Sequence, residues 1–194
     1  YMLTNFETGY LELITGPMFS GKTTRLRNIY KQMSLCDISA LVVNYIEDIR
    51  YSDDIHTLYT HDKSTVPCIS VKTLSEINED VLNVYNVILI NEGQFFEDLY
   101  NFTIKAVNNN KHIYICGLDG DYKRKSFNNF LELIPYCDKV KKYNAICSNC
   151  KQKPAIFTHR TNDNNKQELI GNNMYKPMCR KCYNITNKIY IKTI

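Results

Sequence analysis

The sequence predicts an α/β protein with a mostly parallel sheet flanked by helices, followed by a small C-terminal subdomain. Three observations lead to this fold class. Apolar segments with strand character alternate with segments of helical spacing, and a glycine-rich loop lies between the first strand segment and the first helical one. Two Cys-x-x-Cys pairs lie near the C-terminus. We place the first unit at residues 1–138 and the second at 139–194.

The strands of the first unit are predicted from their apolar residues. These alternate with other residues in the segment 10–15 and form runs at 40–45, 85–90 and 112–116, and residues 66–71 form a further candidate with Pro67 suited to a strand start or an edge. Helical spacing predicts helices directly after the glycine-rich loop, over 74–82 and over 96–107. Because strands and helices alternate, the strands are expected to pair in parallel.

The glycine-rich loop at residues 16–23 reads GPMFSGKT and fits the phosphate-binding pattern G-x-x-x-x-G-K-[ST]. Its two glycines permit backbone conformations that let N–H groups turn toward a polyphosphate. Lys22 is expected to reach the β- and γ-phosphates, and the Thr23 hydroxyl is expected to ligate Mg²⁺. The predicted nucleotide-binding residues of this loop are Gly16, Pro17, Met18, Phe19, Ser20, Gly21, Lys22 and Thr23.

A second part of the nucleotide site is predicted after the strand at 85–90, where residues 91–96 read NEGQFF. Ligands of α/β folds bind at the C-terminal ends of strands, so Glu92 can accept the proton of a hydroxyl that attacks the γ-phosphate. The alternative is that Glu92 only favours the positive N-terminus of the next helix. Asn91 and Gln94 are added to the predicted nucleotide-binding residues.

The two cysteine pairs, Cys147 with Cys150 and Cys179 with Cys182, have the form of a four-thiolate zinc site, with disulfides as the alternative. A closed shell of four sulfurs leaves no open position, so the predicted zinc is structural. The long polar segment between the pairs predicts an exposed loop of the kind that often forms a substrate lid.

The composition and charge of the chain limit the classes of partner that we expect it to bind. The net charge is only +4, with 44% hydrophobic and 23% charged residues, and the basic residues form no dense stripe. We therefore expect no nucleic-acid partner. Since no long apolar window and no signal-peptide pattern is present, we expect no membrane segment and a cytoplasmic location.

In combination, these motifs resemble the zinc-containing thymidine kinase family of cells and large DNA viruses. The resemblance extends over residues 10–183 and is carried by GPMFSGKT, NEGQFF, the LDG at 118–120 and the paired cysteines. Further matching segments lie at 48–51, 60–62, 123–127, 158–160 and 170–175. The resemblance implies a P-loop (RecA-like) domain and a zinc-ribbon subdomain with a lasso loop over the substrate.

The resemblance also implies an activity, which is transfer of the γ-phosphate of ATP, bound with Mg²⁺, to the 5′-hydroxyl of thymidine. Glu92 matches the general base, Lys22 and Thr23 match the phosphate and magnesium residues, and Arg50 matches an arginine near the reacting phosphate. Deoxynucleotide salvage, a homotetramer and feedback inhibition by thymidine triphosphate (dTTP) are implied as well. The implied or proposed thymidine-binding residues are Met18, Asp48, Phe95, Leu118, Tyr122, Phe127, Thr158, Ile170, Gly171 and Tyr175.

Two positions depart from the family pattern. Asn172 stands where a second glycine is usual, and asparagine tolerates left-handed backbone better than most residues. Asn91 stands where the family has a magnesium-holding Asp, so the site lacks one negative charge beside the cation. We expect Asn91→Asp to raise kcat or magnesium affinity.

Asn91 leaves several interpretations open. The protein is a competent kinase in which the ATP phosphates and Thr23 are the main magnesium ligands, or Asn91 is an engineered or deamidation-sensitive position, or catalysis is impaired and the protein binds thymidine or dTTP as a sensor. We favour the competent kinase because Lys22, Glu92 and Arg50 are also present. Two competing hypotheses are a kinase with a broader deoxynucleoside range and an ATPase that acts on nucleic acid.

Overall fold

Strands and helices alternate along the computed structural model, which describes residues 6–48, 57–59, 65–162, 165–167 and 174–189. The α-helices are α1 (Lys22–Leu35), α2 (Glu79–Val84), α3 (Leu99–Asn108) and α4 (Arg180–Thr186), and short 3-10 helices cover Leu74–Glu76, Gly93–Phe95 and Leu131–Tyr136. The strands are β1 (Tyr10–Thr15), β2 (Ala40–Tyr45), β3 (Thr57–Tyr59), β4 (Thr65–Pro67), β5 (Ile69–Val71), β6 (Val87–Ile90), β7 (His112–Gly117), β8 (Lys139–Lys142), β9 (Ala145–Ile146), β10 (Pro154–Ala155), β11 (Phe157–Arg160) and β12 (Tyr175–Met178).

The central sheet has six strands in the order β5-β2-β6-β7-β1-β8, and each pair of neighbours is parallel. Thr15 pairs with Gly117 and Ile90 pairs with Ile115, so the C-terminal ends of β1, β6 and β7 meet at one edge. The predicted fold class, a mostly parallel sheet flanked by helices, is confirmed.

The two faces of the sheet carry separate hydrophobic cores. Leu11 and Leu13 of β1 pack toward α3 and the 3-10 helices, whereas Ile14 packs toward α1. On α1, Leu26, Ile29 and Met33 recur at helical spacing and are each 1% exposed, as the spacing predicts. Since both faces are covered, the central strands read as nearly continuous apolar runs.

The predicted helix at 74–82 is divided in the structure. Leu74–Glu76 is a 3-10 helix, and α2 begins separately because the side chain of Asn78 accepts the N–H of Asp80 at 2.8 Å. The predicted helix at 96–107 begins only at Leu99, after a separate 3-10 turn. The candidate strand at 66–71 is also divided: β4 pairs with β3 in an antiparallel ribbon, and β5 forms an edge of the main sheet.

The C-terminal part is built from two small antiparallel pairs, β9 with β10 and β11 with β12, followed by α4. Strand β8, which opens the predicted second unit, pairs with β1, so the main sheet continues past residue 138. The two-unit division stays a prediction. Within the described ranges, no helix has the length and apolar content needed to cross a bilayer.

Asp98 joins the start of α3 to the 3-10 helix Leu74–Glu76, and its substitution tests how much this connection stabilises the fold. It precedes α3, but its carboxylate accepts the N–H groups of Leu74 and Ser75 at 3.1 and 2.8 Å. We expect Asp98→Ala to leave both donors without this partner and to destabilise the fold by about 1 kcal/mol. This corresponds to a fall in Tm of about 2–4 °C, measurable by thermal unfolding. The neighbouring exposed Glu97→Ala is the control, and equal Tm values for the two variants would contradict the prediction.

Candidate active site

The glycine-rich loop connects the end of β1 to the start of α1, and both glycines have positive φ, 140° at Gly16 and 83° at Gly21. A Cβ at Gly16 would lie 2.3 Å from the carbonyl oxygen of Tyr143, so a side chain has no room there. The Ser20 hydroxyl is buried and has no hydrogen-bond partner within the described part of the chain. The loop therefore has the close-packed backbone and the available donor that a phosphate group would use.

Lys22 supplies positive charge to this loop. Its side chain is buried, with 7% of its surface exposed, and Nζ donates a hydrogen bond to the carbonyl oxygen of Pro17 at 2.8 Å. The ammonium group is thus folded back onto its own loop, at the N-terminus of α1. This is the position that the motif requires for contact with phosphates.

Thr23 and Asn91 bring the loop and the end of β6 together. The Thr23 hydroxyl donates to Oδ1 of Asn91 at 3.3 Å, and Asn91 is 1% exposed. The Cys116 thiol donates to the same oxygen at 3.0 Å, while the Asn91 amide nitrogen donates to Oδ1 of Asn44 at 2.8 Å. A hydroxyl oxygen and an amide oxygen are the hard ligands that Mg²⁺ accepts. These two side chains therefore fit the ion of an ATP–Mg²⁺ complex.

Glu92 follows on the same edge and is held in one orientation. Its backbone is left-handed, with φ 52°, and its side chain is 6% exposed. Gln94 donates from Nε2 to Oε2 of Glu92 at 2.7 Å, and the N–H of Leu118 donates to Oε1 of Gln94 at 3.0 Å. Non-glycine residues with this backbone geometry concentrate at functional sites. Because α3 begins only at Leu99, Glu92 does not sit at the N-terminus of that helix.

Gly117 is a site residue that is absent from the predicted set. A Cβ there would lie 2.6 Å from Oε1 of Gln94 and 2.8 Å from the ring of Phe130. The glycine at the end of β7 therefore gives Gln94 the space in which it orients Glu92. A glycine that ends a buried strand was the available signal.

The predicted thymidine pocket is partly brought together by aromatic contacts. The rings of Phe95 and Phe127 lie 5.8 Å apart at 82°, and Tyr45, which was not predicted, lies 5.4 Å from Phe95. The N–H of Met18 donates to the Thr158 hydroxyl at 3.0 Å, which joins the glycine-rich loop to β11. The ring contacts join β2, the segment after β6 and the segment after β7, and the Met18–Thr158 hydrogen bond joins the phosphate loop to the C-terminal part.

Arg160 connects the C-terminal part to the predicted pocket. It is 4% exposed, and its guanidinium lies 3.9 Å from the centre of the Tyr122 ring. One Nη donates to the Tyr175 hydroxyl at 2.6 Å and to the carbonyl oxygen of Gln167 at 2.9 Å. The other donates to the carbonyl oxygen of Lys166. Arg160 lies in the 158–160 segment of the family resemblance, but its contacts could not be predicted from the sequence because the Tyr122 ring lies far along the chain.

The structure also describes three other predicted site residues. Leu118, which directly follows β7, and Asp48, which lies shortly after β2, are both partly buried. Phe19 in the glycine-rich loop is 37% exposed and has a φ of 63°. The predicted site residues Arg50, Ile170 and Gly171 lie outside the described residues.

The four paired cysteines form one cluster. The sulfur atoms of Cys147, Cys150, Cys179 and Cys182 all lie within 4.8 Å of one another, and those of Cys150 and Cys179 are 3.9 Å apart. Tetrahedral zinc–sulfur bonds of about 2.3 Å place sulfurs about 3.8 Å apart. All four cysteines are free of disulfides, and one cluster of four sulfurs favours a single metal ion over disulfide pairing.

The electrostatics of the cluster also fit a cation. Burial and the neighbouring thiols raise the pKa of Cys182 to about 12. Burial opposes ionisation of Cys147 as well, but the N–H groups of Cys150, Cys179 and Asn149 lower the pKa of Cys147 to about 6. Close sulfurs ionise together only when a positive ion lies among them, which is the setting of a structural metal site.

Comparison with known proteins identifies the family. The family model described as Thymidine kinase matches residues 9–183. The thymidine kinase of Sheeppox virus is 43% identical over 176 residues, covering 90% of this chain and 97% of the relative. Those of Yaba monkey tumor virus and Vaccinia virus (strain Western Reserve) are 41% and 38% identical, covering 92% and 90% of this chain and 97% of each relative. The resemblance inferred from the motifs is thereby confirmed, and the chain belongs to the thymidine kinase family.

Proposed function

We propose that this protein is a kinase that transfers the γ-phosphate of ATP to the 5′-hydroxyl of thymidine, giving ADP and thymidine monophosphate for deoxynucleotide salvage. One observation carries the proposal: Glu92 directly follows Asn91, which contacts Thr23 of the phosphate loop at 3.3 Å. A base and a phosphate site thus share one edge of the sheet. Family membership, with relatives named thymidine kinase, supports the choice of acceptor.

In the proposed reaction, Glu92 accepts the proton of the 5′-hydroxyl while the hydroxyl oxygen forms a bond to the γ-phosphorus. The bond between that phosphorus and the β–γ bridging oxygen breaks, and ADP leaves with its electron pair. Lys22 stabilises the charge on the phosphates, and Gln94 keeps Glu92 in place. Mg²⁺ supplies further charge neutralisation when it is bound with ATP, and Thr23 and Asn91 are the residues that would hold it.

The structure favours a competent kinase over an impaired one. Asn91 turns an oxygen atom toward Thr23, so the position keeps an oxygen ligand although it lacks a charge. Product analysis with other deoxynucleosides would distinguish thymidine from a broader substrate range.

Other parts of the proposal rest on the family resemblance. Arg50 is proposed to lie near the reacting phosphate, and Ile170 and Gly171 near the base. A homotetramer and inhibition by dTTP are proposed on the same ground, whereas a cytoplasmic location and the lack of a nucleic-acid partner are proposed from the composition and sequence pattern. We further propose that the cysteine cluster binds Zn²⁺. The ion would anchor β9 and α4 at the two ends of the segment that lies between the two cysteine pairs.

If Glu92 is the general base, the substitution Glu92→Gln should slow the chemical step without weakening substrate binding. We expect kcat to fall by about 10²–10⁴-fold because the glutamine cannot accept the proton. The dissociation constants of ATP and thymidine should stay within about twofold, since the side chain keeps its volume and its contact with Gln94. Transfer of label from ATP and calorimetric binding measure the two effects. Glu132→Gln, at a position away from the site, is the control, and a kcat for Glu92→Gln within about tenfold of the unsubstituted protein would contradict the assignment.

The zinc proposal predicts about one zinc ion per chain by metal analysis. Cys179→Ser should lose this ion, lower Tm and weaken thymidine binding more than ATP binding, because Cys179 directly follows β12, which carries the predicted thymidine-binding residue Tyr175. Cys36→Ser, at an exposed cysteine outside the cluster, should change none of these properties. A metal-free chain with unchanged Tm would contradict the prediction.

We expect a substitution of Arg160 to change the KM for thymidine and not the rate of the chemical step. Arg160→Lys keeps the charge but cannot make the forked hydrogen bonds to Tyr175 and the 165–167 segment. We expect KM for thymidine to rise about tenfold, KM for ATP to change by less than about twofold, and proteolysis between β11 and β12 to accelerate. Arg180→Lys, at an exposed position of the same subdomain, is the control. Equal effects on both KM values would argue against the prediction.

A further inference from the structure

Asn44 and Asn91 form a buried pair of amides beside the magnesium position. They are 6% and 1% exposed, and the amide nitrogen of Asn91 donates to Oδ1 of Asn44 at 2.8 Å. The main chains are also joined, because the N–H of Asn91 donates to the carbonyl oxygen of Val43 at 2.8 Å. Asn44 lies on β2 and Asn91 directly after β6, which are neighbouring parallel strands. The pair is thus part of the sheet framework.

The side-chain amide of asparagine has an oxygen that accepts hydrogen bonds and an NH₂ group that donates them. The orientation of the Asn91 amide therefore decides which of the two groups faces the magnesium position. Its oxygen faces two donors, the Thr23 hydroxyl at 3.3 Å and the Cys116 thiol at 3.0 Å. Its NH₂ group faces Asn44, whose oxygen accepts the hydrogen bond. If the amide were reversed, a positively polarised NH₂ group would point toward Thr23 and repel a cation there.

We propose that Asn44 is a positioning residue for magnesium: its side-chain oxygen holds the Asn91 amide with the oxygen toward Thr23. The neutral Asn91 can then act as an oxygen ligand at the position where the family has a carboxylate. This inference rests on the proposed function in so far as ATP–Mg²⁺ binds at the glycine-rich loop.

The proposal makes the effect of Asn44 depend on the residue at position 91. A carboxylate has two equivalent oxygens, so an Asp at 91 presents oxygen toward Thr23 whichever way it turns. Asn44 should therefore matter for metal affinity when residue 91 is Asn and should matter little when it is Asp. A residue that only supports the packing of β2 against β6 would have the same effect in both cases.

The test is a double-mutant cycle of Asn44→Ala and Asn91→Asp, measured without turnover. Mn²⁺ serves as the metal probe, and its affinity for the complex of the protein with a non-hydrolysable ATP analogue is measured by electron paramagnetic resonance. We expect Asn44→Ala to weaken Mn²⁺ binding by about five- to tenfold, which corresponds to one buried hydrogen bond. In the Asn91→Asp background the same substitution should weaken it by less than about twofold.

Controls separate metal binding from folding. Asn83→Ala, at an exposed position on α2, should leave Mn²⁺ affinity unchanged, and the metal-free analogue should bind all variants equally. Asn44→Val, with a β-branched side chain suited to a strand, replaces Asn44→Ala if that variant does not fold.

Equal weakening in both backgrounds, or none in either, would overturn the proposal, as would failure of the unsubstituted protein to bind the analogue with Mn²⁺. Thymidine is not used in the test. A protein that shows the expected cycle but phosphorylates no thymidine would retain this inference and lose the proposed function.

Discussion

The parallel register of β1, β6 and β7 is the constraint on which the rest of the site depends. It brings the C-terminal ends of the three strands to one edge, with Thr15 paired to Gly117 and Ile90 paired to Ile115. The glycine-rich loop follows β1, and Asn91 and Glu92 follow β6. A shift of one residue in this register would turn each strand's side chains to the opposite face and separate these groups.

Two hydrogen-bond networks lie at that edge. One runs from the N–H of Leu118 through Gln94 to Glu92 and orients the proposed base. The other runs from Thr23 through Asn91 to Asn44 and orients the proposed metal ligand. Because these groups are largely buried, their dipoles are fixed before substrates arrive, which is how preorganised sites lower the barrier of phosphoryl transfer.

Much of this arrangement was predictable from local sequence. Strands β1 and β2 have the predicted bounds because apolar residues occupy most of their positions, and the cysteine pairs meet because each knuckle presents both sulfurs to one side. Strand β8 is rich in lysine, so no apolar pattern predicted that it would complete the sheet. The roles of Asn44 and Arg160 depend on partners distant in sequence, and no spacing rule could predict those contacts.

The most direct test of the proposed thymidine kinase activity is phosphate transfer by the unsubstituted protein. Labelled ATP with Mg²⁺ would be incubated with thymidine and, in parallel, with deoxycytidine, deoxyuridine and deoxyguanosine, and the labelled monophosphates would be separated. We expect thymidine monophosphate as the dominant product, formed only when Mg²⁺ is present. Binding of both ATP and thymidine without any labelled product would contradict the proposed activity.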